Sequence, residues 1–222
     1  TPSGLWSDIL KDGKNRPETA NKFTNLSGPK GSIFKIYPPK VLSSFKEVKL
    51  ASDPDSYYAS STGKRATIGD NIDYKLKFIN SSTQDIDELS VIDILPYNGD
   101  TSIVANQEGK YPSRGSKFKT PLMGIENQDK FDIYYSTEED KKTIEENKNV
   151  EWKSSVDDFS KVTMIKAVLK KGKVIKVGET ASIVTHNRIE NDSNILDGEK
   201  AFNSFAISVN NGKSSIEALK VD

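Results

Sequence analysis

The sequence predicts an all-β sandwich, and three observations support this prediction. Apolar and polar residues alternate with a period of two in several short segments, which is the pattern of strands with one buried face. Gly, Pro, Asn and Asp residues separate these segments and favour turns. Strong helical character is confined to one polar segment, so a fold that alternates strands with helices is not expected.

The clearest strand is predicted at residues 72–78, where Ile72, Tyr74, Leu76 and Phe78 alternate with charged residues. Period-two patterns begin at about Val41, and other strands are predicted at residues 89–95, 131–135, 161–169, 173–186, 205–209 and 215–221. Pro96 ends the strand at 89–95. Two turns are predicted, one at Lys171-Gly172 between neighbouring strands and a hairpin turn at residues 210–212.

Two segments do not follow the strand pattern. Residues 1–38 are polar and rich in Gly and Pro, and they are predicted to be a linker or the end of a preceding module, with residues 39–222 forming the sandwich. Residues 137–147 are polar nearly all round and predict one short surface helix in a strand connection. We expect the chain to be a fragment of a longer protein.

Composition narrows the function classes. The 222 residues include 32 Lys and Arg and 32 Asp and Glu, so the chain lacks the basic excess of a nucleic-acid binder. No stretch approaches the roughly 20 apolar residues of a membrane span. Cysteine is absent, which excludes a disulfide-stapled domain and is compatible with bacterial export. We therefore expect neither a nucleic-acid partner nor a membrane span in this fragment.

Two motifs occur in a recognisable order. The first is residues 67–74 (TIGDNIDY) followed by residues 77–80 (KFIN), and the second is residues 91–96 (VIDILP) followed by residues 99–101 (GDT). Together they resemble the conserved-repeat domain of Gram-positive cell-wall-anchored surface proteins. The resemblance implies an immunoglobulin-like β-sandwich with one short surface helix and an irregular N-terminal extension. It also implies a structural or adhesive module of an adhesin or pilus-type stalk, located at the cell surface.

A second resemblance is to collagen-adhesin modules that contain an internal isopeptide bond. Such modules carry a Lys on an early strand, an Asp in a middle strand and an Asn near the end. Lys49, Asp93 and Asn203 follow in that order here. The resemblance implies a Lys49–Asn203 cross-link, promoted by Asp93 as the acid. It implies neighbouring modules of the same protein as partners, together with a host extracellular-matrix protein or glycan.

The strand patterns support two of these three residues independently. Asp93 shares a face with Leu89, Val91 and Leu95, and Asn203 shares one with Phe205 and Ile207. Buried polar groups need partners, so two polar residues on core faces suggest that their side chains meet. Alternatively, Asp93 accepts backbone N–H groups and Asn203 caps a turn.

The lysine is left with two candidates. Lys49 shares its face with Phe45 and Glu47, whereas Lys46 lies on the more apolar face of Val48 and Leu50. The family pattern favours Lys49, and a different strand register would favour Lys46.

The expected chemistry follows from burial. A buried Lys has a lowered pKa and can be a neutral nucleophile, while a buried Asp can stay protonated and polarise an amide. Attack on Asn203 would release ammonia once per molecule. The domain would therefore not be an enzyme in the usual sense, and no cofactor is expected.

Other candidate sites are weaker. His186 is the single histidine, so a zinc site or a Ser-His-Asp triad is not expected. Residues 191–199 (NDSNILDGE) contain oxygen ligands, but their spacing does not match a calcium loop, and the cluster of Asp53, Asp55 and Asp70 is weaker still; no metal is predicted.

Two alternative functions remain open from the sequence. Asp93, Glu151 or the pair Glu145 and Glu146 could act as glycosidase acids, although paired carboxylates are common by chance in a chain with 32 Asp and Glu residues. A groove of exposed aromatic residues would instead favour a ligand-binding module, or an accessory carbohydrate-binding domain of a secreted enzyme. The candidate aromatic residues are Tyr57, Tyr58, Tyr97 and Tyr111.

Overall fold

A computed structural model describes residues 26–27, 33–34, 42–54, 57–59, 65–127, 129–139, 141, 149–209 and 214–222. The chain divides into two compact units, residues Thr1–Val41 and Leu42–Asp222. In the first unit, strands β1 (Leu26–Ser27) and β2 (Ile33–Phe34) pair antiparallel, with Leu26 opposite Phe34.

The second unit contains two antiparallel sheets. One sheet has the order β3 (Leu42–Leu50), β4 (Asn71–Asn80), β9 (Thr180–Arg188) and β6 (Leu122–Asn127). The other has the order β11 (Ser214–Glu217), β10 (Ala206–Val209), β5 (Ser90–Ile94), β8 (Met164–Leu169) and β7 (Phe131–Ser136). A short 3-10 turn at Phe159–Lys161 begins where the Asp158 carboxylate accepts a hydrogen bond from the Ser160 N–H.

The strand order is that of an immunoglobulin-like sandwich. Strands β3, β4, β9 and β6 correspond to the A-B-E-D sheet, and β11, β10 and β5 to the G-F-C sheet. Strands β7 and β8 extend the second sheet beyond β5. The all-β sandwich predicted from the sequence is therefore confirmed.

The core lies between the two sheets and is built from the alternating apolar residues. On β4, Ile72, Tyr74, Leu76 and Phe78 are buried, as the period-two pattern requires. The ring of Phe78 lies 5.7 Å from that of Phe131 and 5.4 Å from that of Phe205, measured between centroids. Each fully buried side chain of this size stabilises the fold by about 1.5–3 kcal/mol.

The strand predictions differ from the structure at two places. Strands β8 and β9 follow each other in sequence but belong to different sheets, so the chain crosses between layers there. The Lys171-Gly172 turn is present, with Gly172 at φ 82°, but β9 begins only at Thr180. Strand β6 escaped prediction because Gly124 and a register shift next to it interrupt the alternation.

Two other predictions fall on positions outside the described residues. They are the greater part of the predicted helix, at 140 and 142–148, and the hairpin turn at 210–212. The described part of the chain contains no helix with the length and apolarity that a membrane crossing requires.

Candidate cross-linking site

A buried lysine and a buried aspartate meet between the two sheets. The Nζ atom of Lys46 on β3 lies 2.5 Å from Oδ2 of Asp93 on β5, and the side chains are 0% and 1% exposed. Lys46 faces the core because it stands opposite Leu76 of β4, whose side chain is also buried. An ion pair sealed from water at this depth gains less from its charges than it loses in hydration.

Aromatic rings complete the surroundings of Lys46. Its Nζ lies 5.1 Å from the centroid of the Tyr74 ring and 5.6 Å from that of Phe205. Burial lowers the pKa of Lys46, the Asp93 carboxylate opposes this change, and the charge of Arg114 lowers the pKa further. The net direction favours the neutral amine, which is the nucleophilic form.

Asn203 is a buried polar residue of the core. It is 0% exposed, and among the described residues neither Oδ1 nor Nδ2 has a hydrogen-bond partner. Oδ1 of Asp93 also lacks a partner there. Buried polar atoms are nearly always satisfied, so three unsatisfied atoms on two residues mark an unusual place in the core.

The strand register relates Asn203 to Asp93. Ile207 lies opposite Val91 and Ala206 opposite Ile92. If this register continues past the start of β10, Phe205 stands opposite Asp93, and Asn203 lies two residues from Phe205 on the same side of the chain. Phe205 also contacts Lys46, so the residue that shares a side with Asn203 lies beside the Lys46–Asp93 pair.

Lys49 lies on the other face of β3. Its Nζ donates to the Asp53 carbonyl at 3.3 Å and lies 5.1 Å from the centroid of the Tyr57 ring. Residues of odd number on β3 point outward, and Lys49 stands opposite the outward-facing Asp73 of β4. The geometry therefore replaces Lys49, the lysine favoured by the family pattern, with the alternative Lys46.

His186 also lies on the outer face of the first sheet, near the end of β9. Its Nδ1 is 2.8 Å from Oδ1 of Asp73, and its Nε2 is 3.3 Å from Oε1 of Glu126. The hydrogen bond with Asp73 is the main cause that raises the pKa of His186, and Glu126 adds to it.

The oxygen-rich loops bind their own backbone. Asp192 accepts a hydrogen bond from the Asn194 N–H, Glu199 from the Leu196 N–H, and Asp70 from the Thr67 N–H. Asp53 contributes its carbonyl to Lys49, and Asp55 lies outside the described residues. Within the described ranges, no group of three or more His, Asp or Glu residues is arranged to hold a metal ion.

Of the carboxylates considered as glycosidase acids, the two that the structure describes, Asp93 and Glu151, do not form a pair. Asp93 is sealed in the core, where a polysaccharide cannot reach it, whereas the Glu151 side chain is 74% exposed. Glu145 and Glu146 lie outside the described residues.

The four tyrosines considered as a binding groove are divided between two sides of the sandwich. Tyr57 contacts Lys49 and Lys75 on the outer face of the first sheet, and Tyr58 pairs with Val48. Tyr97 packs on the outer face of the second sheet against the cluster that contains Ile92 and Ile94, and Tyr111 is half-buried in the loop that follows. They do not line one groove.

Two functional candidates had no signal in the sequence pattern. Arg114 is 2% exposed and Asp100 is 0% exposed, and Nη2 of Arg114 lies 3.0 Å from Oδ2 of Asp100. Both residues lie in the irregular connection between β5 and β6, where no periodicity assigns a face to a side chain. Outside the strand pattern, the one available signal was the position of Asp100 within residues 99–101, which belong to a motif that resembles the surface-protein pattern.

Comparisons with known proteins give little further information. No family model matches the chain, and no curated protein matches its sequence. Among solved structures, a family 123 glycoside hydrolase from Clostridium perfringens is similar at 11% identity with a TM-score of 0.28. The similarity covers 81% of this chain and 26% of the hydrolase chain. A similarity this low carries no argument about activity or ligand.

Proposed function

We propose that this chain is a structural or adhesive module of a Gram-positive cell-surface protein and that Lys46 and Asn203 form an internal amide bond in it. One observation carries the cross-link: the core contains a buried Lys46–Asp93 pair and a buried Asn203 amide, and no group among the described residues forms a hydrogen bond with that amide. The order of the sequence motifs, which resembles surface adhesins and pilins, supports the class of protein.

The reaction requires no group from outside the domain. The neutral Lys46 amine attacks Cγ of Asn203, and the protonated Asp93 carboxyl stabilises the developing charge on Oδ1. Asp93 delivers its proton to Nδ2, and the resulting carboxylate takes a proton from the attacking nitrogen, so Asp93 ends the reaction protonated as it began. The Cγ–Nδ2 bond breaks, ammonia leaves, and a Nζ–Cγ amide remains. Each molecule reacts once, so the domain is not an enzyme.

The surroundings of the pair favour this proton arrangement. Apolar and aromatic side chains exclude water, and burial is the main cause of the lowered pKa of Lys46. A lysine and aspartate that share one proton as neutral groups avoid the large loss of hydration that a buried ion pair suffers. The resulting amide is uncharged and suits the same apolar environment.

The bond would join the beginning and the end of the sandwich. It closes a loop of 157 residue steps between β3, the first strand of the sandwich, and the segment before β10. In the chain-entropy treatment of cross-links, a loop of that length contributes roughly 5 kcal/mol of stability. Such a bond resists reduction and carries tension, which suits a module exposed outside the cell between neighbouring modules and a host matrix protein or glycan.

The test is the intact mass of the purified, denatured chain. A mass lower than the sequence value by one ammonia is expected, and fragmentation of a digest should yield a branched peptide that joins Lys46 to Asn203. A mass equal to the sequence value would contradict the cross-link and would leave a sandwich without covalent reinforcement.

A further inference from the structure

A buried polar network surrounds Asn203 on both sides along the chain. Its centre is the Arg114–Asp100 ion pair, with Nη2 and Oδ2 at 3.0 Å and both side chains almost completely buried. The neighbours of Asn203 in sequence, Phe202 and Ser204, are both bound by this network. A charged pair at this depth requires further hydrogen bonds to remain favourable. Here those bonds restrain the segments on both sides of Asn203.

The Arg114 guanidinium contacts residues next to both Asp93 and Asn203. Its Nη1 donates to the Ile94 carbonyl at 2.9 Å and to the Ser204 hydroxyl at 3.4 Å. Ile94 follows Asp93, and Ser204 follows Asn203. A planar guanidinium holds its donors in fixed directions, so it constrains both segments relative to each other.

The other side of Asn203 is held through Ser116. The Ser116 hydroxyl donates to Asp100 at 2.6 Å and accepts from the Phe202 N–H at 2.8 Å. Gly115 adopts φ 94° between the two buried residues Arg114 and Ser116, and a Cβ there would lie 3.5 Å from the Phe202 ring. The left-handed backbone at Gly115 lets the side chains on either side of it, Arg114 and Ser116, both reach Asp100.

The Asn203 backbone is fixed as well. Its N–H donates to the Val221 carbonyl and its carbonyl accepts from the Val221 N–H, both at 2.9 Å. Among the described residues, no hydrogen bond restrains the amide side chain. The backbone of Asn203 is therefore held in place while its amide is left available to react, as proximity catalysis requires.

We propose that Arg114 is a positioning residue of the cross-linking reaction, because it joins the strand that carries Asp93 to the segment that carries Asn203. This inference rests on the proposed Lys46–Asn203 bond. Arg114 does not touch the reacting atoms. It acts through Ile94, Ser204 and the Asp100–Ser116 pair, and holds the Asn203 amide carbon where Lys46 can attack it.

Three sets of variants of the full chain separate positioning from general stability. Ser204→Ala removes one contact between Arg114 and the Asn203 segment, and Ser136→Ala, at a serine that is also fully buried but lies on β7, is its control. Arg114→Lys keeps the charge and loses the planar geometry. The double variant Asp100→Asn with Arg114→Gln removes both charges, so that no lone buried carboxylate remains.

The experiment compares the rates of folding and of bond formation. Chain kept unfolded in denaturant is diluted to native conditions, near-ultraviolet circular dichroism follows folding, and samples quenched in denaturant are weighed by mass spectrometry. We expect Ser204→Ala and Arg114→Lys to fold at the rate of the unmodified chain and to lose ammonia on the order of tenfold to a hundredfold more slowly. The double variant should be slower still, and Ser136→Ala should be unchanged in bond formation.

The outcomes separate the two proposals. If the unmodified chain folds without losing ammonia, the proposed bond is wrong and the role of Arg114 falls with it. If the unmodified chain loses ammonia and Ser204→Ala and Arg114→Lys lose it equally fast, the bond stands and the positioning role is wrong. If bond formation slows only in parallel with folding, Arg114 is structural and the inference is also wrong.

Discussion

Lys46 on β3 and Asp93 on β5 lie 2.5 Å apart, although their strands belong to opposite sheets of the sandwich. The contact crosses the core where Tyr74 and Phe205 exclude water. A salt bridge buried this way contributes little to stability by itself, and an apolar pair of similar volume would serve equally well. The chemistry that the pair makes possible therefore gives a better explanation of its presence than its charge.

The identity of the lysine can be decided by substitution. Lys46→Ala should abolish the loss of ammonia because Lys46 is the lysine that contacts Asp93 among the described residues, whereas Lys49→Ala should retain it because Lys49 binds Asp53 on the outer face. Intact mass of each denatured variant is the measurement. If Lys49→Ala loses the cross-link and Lys46→Ala retains it, the reacting lysine is Lys49, as the family pattern implies.

Removal of the cross-link should lower the free energy of unfolding. For Asn203→Ala we expect a loss of roughly 5 kcal/mol, the value that chain entropy assigns to so long a closed loop. Urea unfolding, followed by circular dichroism, measures this loss, with the exposed Asn98→Ala as control. An Asn203→Ala variant as stable as the unmodified chain would show that the residue forms no covalent bond.

His186 should make stability depend on pH. Its pKa is raised, mainly by the hydrogen bond with Asp73, so the folded state binds a proton more tightly than the unfolded chain. The resulting stabilisation is fully present below the unfolded pKa of about 6.5, and it is lost as the pH rises through the higher folded pKa. Because His186 is partly exposed, solvent reduces the effect.

The measurement for His186 is a set of urea midpoints at several pH values. The difference in stability between the unmodified chain and His186→Gln should be largest near pH 5.5 and should shrink above about pH 7. Asp73→Asn should remove most of the pH dependence of this difference. A difference that stays constant across the range would contradict the ion pair.

The stability of the fold should depend on the side-chain nitrogen of Asn80, at the end of β4. Its Nδ2 donates to the Gln84 and Ile175 carbonyls at 2.8 Å, and its Oδ1 accepts from the Ser82 N–H. Asn80→Asp would set a carboxylate oxygen against two carbonyls in a buried site, and we expect it to lower stability by at least about 2 kcal/mol. Thermal unfolding against the exposed Asn98→Asp control tests this, and equal melting temperatures would contradict the assigned amide orientation.

Part of the candidate site was predictable from the sequence. Asp93 and Asn203 interrupt apolar faces that a period of two defines, so their burial followed from strand pattern alone. For the lysine, the apolar face of Lys46 indicated burial, whereas the family spacing favoured Lys49, which lies on the outer face of β3; which of the two reacts stays a prediction. A shift of three residues reverses the side of a strand on which a side chain lies.

Other features required the three-dimensional structure. Arg114 and Asp100 lie in a connection without regular structure, where no period relates a residue to the core. The chain crosses between the sheets from β8 to β9 because β9 pairs with β4 and β6, which are distant in sequence. Local residue types do not determine such a long-range pairing. Strand β6 was hidden because Gly124 and the neighbouring shift in register break its alternation.

The central strand pairs join distant parts of the chain, and this has a consequence for folding. Ile72 pairs with Asn187 in one sheet and Val91 with Ile207 in the other, so each pairing spans more than a hundred residues. Folds with such high contact order form in milliseconds to seconds, since long loops must close before their contacts can stabilise them. Asn203 precedes β10, so the proposed bond would form only after the long-range pairing of β10 with β5. An irreversible reaction at that stage would remove each correctly folded molecule from equilibrium with unfolded chains, and partly folded ones would remain open to proteolysis.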